Sequence, residues 1–137
     1  RRQTSIELPQ QRDRSAAVQP IIASAAVGQM SAMAQRVHVN EAILGYVARL
    51  AEESRRHPSI SLGLSVRGGL AFVRCAKVWA LSQGRPYVTP DDIKDLAHPI
   101  LAHRLLLGDQ AAYDRLQVAS VIDDLMNDVA APAYRAA

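Results

Sequence analysis

Apolar positions recur at intervals of three and four along most of this chain, the period of helices that turn one face to a core. From Ser24 onward, Val27, Met30, Met33 and Ala34 keep that spacing. Val37-His38-Val39 reads as extended, and Asn40 can cap a second helix in which Ile43, Tyr46, Val47 and Leu50 form one stripe. Its other face carries Arg49, Glu52, Glu53, Arg55 and Arg56, a solvated charged surface with Glu52 and Arg56 paired at i,i+4. His57-Pro58 ends that helix, and a loop is expected as far as Ser65.

A third helix is predicted from about Val66 to Gln83. It is apolar on most sides (Leu70, Phe72, Val73, Cys75, Ala76, Val78, Trp79, Leu81), which marks it as the central helix of a bundle. Gly84 supplies its stop. Thr89-Pro90-Asp91-Asp92 is a strong helix start: a capping hydroxyl, proline at the first helical position, and carboxylates at the positive end of the dipole. Ile93, Leu96, Ala97, Ile100 and Leu101 continue it, with Pro99 expected to bend or split it. A polar break from Asp109 to Asp114 precedes a last amphipathic helix through Val118, Val121, Ile122, Leu125, Met126 and Val129, stopped before Pro132. The fold class is therefore mostly α, a small bundle of four or five helices with short extended links.

At 137 residues, with 49% hydrophobic and 21% charged residues, the chain has the composition of one globular domain. Residues 1–20 stand apart as a polar, arginine-rich connector holding Pro9 and Pro20. No run of about 18 apolar residues predicts a membrane span, and the leader lacks the apolar stretch of a signal peptide. The chain opens on Arg1 without an initiator methionine, so it is expected to continue upstream. The formal charge of +3 permits an anionic partner, but much of the excess sits in Arg1, Arg2, Arg12 and Arg14, and aromatics are scarce at 4%. Nucleic acid is a poor fit. The lone Cys75 forms no intrachain disulfide, and its apolar neighbours predict a buried structural thiol.

Catalytic motifs are missing. Gly63 and Gly68 match the outer spacing of a phosphate-binding loop, but Gly69-Leu70 stands where its lysine and hydroxyl belong. His38, His57, His98 and His103 do not pair at i,i+3 or i,i+4, so no metal site is expected. Ser65 lacks a nucleophile's turn and reads as a helix cap. Arg67 is different. A cation in the first turn of a helix opposes the dipole, and Gly68 and Gly69 each cost up to about 1 kcal/mol of helix propensity relative to alanine. Either the backbone there approaches an anion that Arg67 grips, or Arg67 is a surface residue and the glycines relieve crowding between helices.

The run GLSVRGGLAFVRCAKVWALSQGRPYVTPDDIKDLAHPILAHRLLL resembles the C-terminal helical lid of MoxR-type AAA+ ATPases. Its most specific pieces are Gly84-Arg85 followed by Tyr87-Val88-Thr89-Pro90-Asp91-Asp92, and Ala102-His103-Arg104-Leu105. The likeness covers about residues 18–132, which makes residues 21–137 the lid and residues 1–20 the connector from an upstream ATPase core. In that family a serine-proline-arginine motif carries the second sensor arginine, which reaches nucleotide phosphate. It maps to Ser65-Val66-Arg67, with Val66 in place of proline and Gly68-Gly69 in place of the usual small pair.

The resemblance implies a cofactor-binding role for Arg67, supported by Ser65 and Gly68 at the helix start. ATP and magnesium would be bound by the full-length protein, with no metal and no catalytic residue in this chain. It further implies a cytoplasmic, ring-forming, hexameric parent that remodels or matures client proteins, with neighbouring subunits and a von Willebrand factor A-domain protein as partners. Two other readings fit the bare residues: a helical nucleic-acid-binding domain, and an oligomerisation or docking module.

Overall fold

The computed structural model describes residues 18–133, so most of the 1–20 connector lies outside the described residues. The order is α1 (Ser24–Gln35), α2 (Glu41–Arg56), β1 (Ile60–Leu62), α3 (Val66–Ser82), α4 (Pro90–Leu101), β2 (Leu106–Leu107), α5 (Asp109–Tyr113) and α6 (Val118–Asp128). The fold is mostly α, as the periodicity predicts. Local chemistry sets the helix starts. Asn40 accepts the Ala42 N–H at 2.8 Å, and Thr89 and Asp92 form a reciprocal capping box at the head of α4. At the end of α3, Gly84 takes φ +74°. Its N–H reaches the Leu81 carbonyl and that of Arg85 reaches Ala80, the paired bonds of a Schellman stop.

The core lies where α2, α3, α4 and α6 meet, around Tyr46, Leu50, Phe72, Ile93, Leu101, Ile122 and Leu125. Helix α3 contributes a narrow stripe at i,i+4: Gly68, Phe72, Ala76 and Ala80. Three of the four are small, so its neighbours approach closely. Phe72, fully buried, supplies most of its anchoring, about 1.5–3 kcal/mol by transfer.

Several expectations change. The α1 stripe has the right period but faces outward: only Ala34 is buried, while Val27, Met30 and Met33 are about half exposed at 48%, 52% and 55%. Helix α3 touches α1, α2 and α4, yet Leu70, Val78 and Trp79 face out, and so does Cys75, contrary to the buried thiol expected. An apolar stripe reports that a face wants cover, not that the cover belongs to the same chain.

Within the expected loop, Ile60–Leu62 is a strand paired antiparallel with Leu106–Leu107. The pairing is held further by Ser61 Oγ, which donates to the Leu106 and Leu107 carbonyls. Two such short segments, 45 positions apart, carry no period of their own. Pro99 does not split α4; it sits in the last turn, and Asp95, whose carbonyl loses an N–H partner to it, is exposed. The polar break at Asp109 is a short helix, α5.

Candidate functional site

The start of α3 is built from both sides. Ser65 caps it by accepting the Gly68 N–H at 3.1 Å, and the Ser65 carbonyl accepts the Gly69 N–H at 2.9 Å. Both bonds lie inside the helix start, so Ser65 and Gly68 serve each other. Gly68 is an interior residue: a Cβ there would come within 2.5 Å of Leu64 Cδ1. Crowding explains that glycine. Gly69 is more open: a Cβ there would lie 3.8 Å from Val47 Cγ1, an ordinary contact.

Arg67 stands alone. It is exposed in the first turn of α3, and its guanidinium has no ion pair or hydrogen bond among the described residues. The first backbone N–H groups of a helix have no intrahelical acceptor, so Arg67 adds a full charge to an end that already attracts anions. Arg74, seven residues on, is also exposed and shares that side of α3. Lys77 is engaged instead, donating to the Gln35 carbonyl at the end of α1 at 2.9 Å.

Ser65, Arg67 and Gly68 stand together at the start of α3, and sequence reading misses what holds them. Ser54, fully buried in the last turns of α2, donates to the Ala51 carbonyl at 2.8 Å and accepts the Leu64 N–H at 2.8 Å. Arg55, assigned from sequence to the solvated face, donates from Nη1 to the Leu64 carbonyl at 2.7 Å. Gly63 lies so near α2 that a Cβ would be 2.7 Å from the Arg55 nitrogen and the Ser54 carbonyl carbon. The only sequence signal is a serine inside a charged run and a glycine without a turn to explain it.

Beside this helix start, Leu44, Val66, Leu70, Val73 and Val78 line adjoining grooves between α2 and α3, one of them bounded by Ser31, Ala34 and Gln35 of α1. Elsewhere, His98 Nε2 meets Asp123 Oδ1 at 2.8 Å, tying α4 to α6. Among the described residues no cluster of His, Cys, Asp and Glu could hold a metal, and no helix is long and apolar enough to cross a membrane.

The sequence matches the AAA lid domain family over residues 52–125, more than half of the chain. It is 30% identical to the chaperone MoxR1 of Mycobacterium tuberculosis over 107 residues, covering 72% of this chain and 28% of that protein. It is also 30% identical to the protein MoxR of Paracoccus denitrificans over 112 residues, covering 70% of this chain and 32% of that protein. This chain belongs to the AAA lid domain family, in its MoxR branch. The chain is likewise 33% identical to the uncharacterized protein YeaC of Bacillus subtilis over 120 residues, 88% of this chain and 38% of YeaC. Its backbone superimposes on the crystal structure of a candidate ATPase from Cytophaga hutchinsonii with a TM-score of 0.68 at 25% identity. That match covers 74% of this chain and 33% of the ATPase chain. The lid thus spans about a third of the length of the relatives it matches.

Proposed function

We propose that the lid closes over ATP bound to an upstream ATPase core and that Arg67 contacts the nucleotide phosphates, coupling hydrolysis to the remodelling or maturation of client proteins. The observation that carries this is the exposed guanidinium of Arg67, unpaired among the described residues, on a capped helix start. Its planar fork of N–H donors suits phosphate oxygens, and the helix end adds to the attraction. The residues present fit one part of the nucleotide, a phosphate. Bound ATP with magnesium would supply the bond to be broken; the lid's share is to orient that phosphate through Arg67 and to exclude water as it closes. Ser65 and Gly68 keep the helix start in shape. The magnesium ligands belong to the core.

Support for a core in contact comes from the apolar ground beside Arg67. Val66 is 76% exposed, and Leu70 and Val78 are each 56% exposed, an arrangement suited to cover by another body. The relatives, roughly two to three times as long, have the length for one. On this reading residues 1–20 connect the core to the lid at residues 21–137, and the parent works in the cytoplasm as a hexameric ring, with neighbouring subunits and a von Willebrand factor A-domain protein as its partners.

Arg67→Ala in the full-length parent is expected to lower ATP turnover about 10- to 100-fold, the equivalent of ~1.5–3 kcal/mol for a charge-assisted contact. Steady-state hydrolysis, with circular dichroism to verify folding, checks this. Unchanged turnover in a folded variant would refute the phosphate role.

A further inference from the structure

The residue before the cap, Leu64, ties the site to α2. Its side chain is fully buried, and both of its backbone polar groups are taken by α2: the N–H by Ser54 Oγ at 2.8 Å, the carbonyl by Arg55 Nη1 at 2.7 Å. Ser54 has a second bond, to the Ala51 carbonyl, so its hydroxyl is fixed in direction as well as place. Gly63 lets this stretch lie against the α2 backbone, and Gly68 lets the Leu64 side chain fold under the first turn of α3. Loops ordinarily place a helix by their own turn geometry. Here two side chains of another helix hold it, three positions before Arg67.

We infer that Ser54 and Arg55 are positioning residues for Arg67, setting where its guanidinium stands relative to α2. They touch no ligand themselves, and the inference rests on the reading of Arg67 as the phosphate contact. Packing of Phe72, Ala76 and Ala80 fixes the body of α3, and its first turn, where two glycines lower helix propensity, rests on Leu64 through Gly68. The two bonds to Leu64 therefore set where that turn lies. A displacement of about 1 Å at a reacting group can cost on the order of 100-fold in rate, so loss of either bond should be felt at the phosphate.

The test is a set of variants in the full-length parent: Ser54→Ala, Arg55→Met, Arg55→Lys, Arg67→Ala, and each clamp variant combined with Arg67→Ala. Turnover and KM for ATP are measured, with binding of a fluorescent ATP analogue as a second readout. Ser54→Ala and Arg55→Met are each expected to lower kcat about 5- to 20-fold with Arg67 present, and by less than about 2-fold once Arg67 is alanine, because the pathway runs through it. Arg55→Lys, which keeps a donor, should recover most of the activity. Arg55→Met is the safeguard if Ser54→Ala fails to fold, since Arg55 is exposed.

Clamp variants that lose equally with and without Arg67 would overturn the inference, as would folded clamp variants with full activity, while leaving the phosphate role intact. An Arg67→Ala enzyme at full activity would instead remove the reading beneath it.

Discussion

Asp92 is a carboxylate only 2% exposed, held by both arms of Arg85 at 2.8 and 2.5 Å and by the N–H and hydroxyl of Thr89. Burial works to raise its pKa, but the Arg85 bonds, with those from Thr89, outweigh that and hold it below the usual carboxylate value. A carboxyl acidified by folding binds protons less readily in the native state than in the unfolded chain. Its stabilisation is therefore complete above the unfolded value, about 4, and is lost as pH falls through the native one. Asp92→Asn should cost about 1–3 kcal/mol at pH 7, and the gap should close below about pH 4. Thermal unfolding at pH 7 and pH 3 checks this; an unchanged gap would count against it. Tyr46 is the opposite case. Its hydroxyl is buried and finds no protein partner among the described residues, and burial raises its pKa. Tyr46→Phe should leave stability equal or raise it by up to about 1 kcal/mol, measured by urea unfolding. The cap at Thr89 is legible because its partners lie within four residues. The Arg85–Asp92 pair and the Ser54–Leu64 bond are not, because a loop must fold back before they meet.

Among the elements, helix periods and helix starts are readable in the sequence, while the direction each stripe faces is not. Val27, Met30 and Met33 on α1 and Leu70 and Val78 on α3 have the spacing of core positions and lie on the surface. The period belongs to the helix, whereas burial belongs to whatever packs against it. If the α3 face is covered only in the parent, Leu70→Asp should change the unfolding free energy of the isolated lid by no more than about 1 kcal/mol. It should lower ATP turnover of the parent about tenfold or more, because closure would desolvate an unpaired carboxylate. Parallel melting and turnover measurements decide the point; a lid that no longer folds would mean Leu70 is core after all.

For the whole molecule, the mostly α class followed from periodicity, and the family from the resemblance of motifs spread over most of the chain. The strand pair escaped, since β1 and β2 are three and two residues long and meaningful only together. The distances spanned in sequence by the principal contacts also differ widely. Ser54 reaches Leu64 across 10 positions, Ser61 reaches Leu106 across 45, and Arg49 reaches the Ala130 carbonyl across 81. Closing a longer loop costs more chain entropy, so the short connection can form while the long ones still wait for their partners. In a chain made from its N-terminus, residues 51–68, which carry the mounting of Arg67, are all synthesised before α6. The start of α3 is thus held by contacts local in sequence, which can form before the rest of the bundle closes around it.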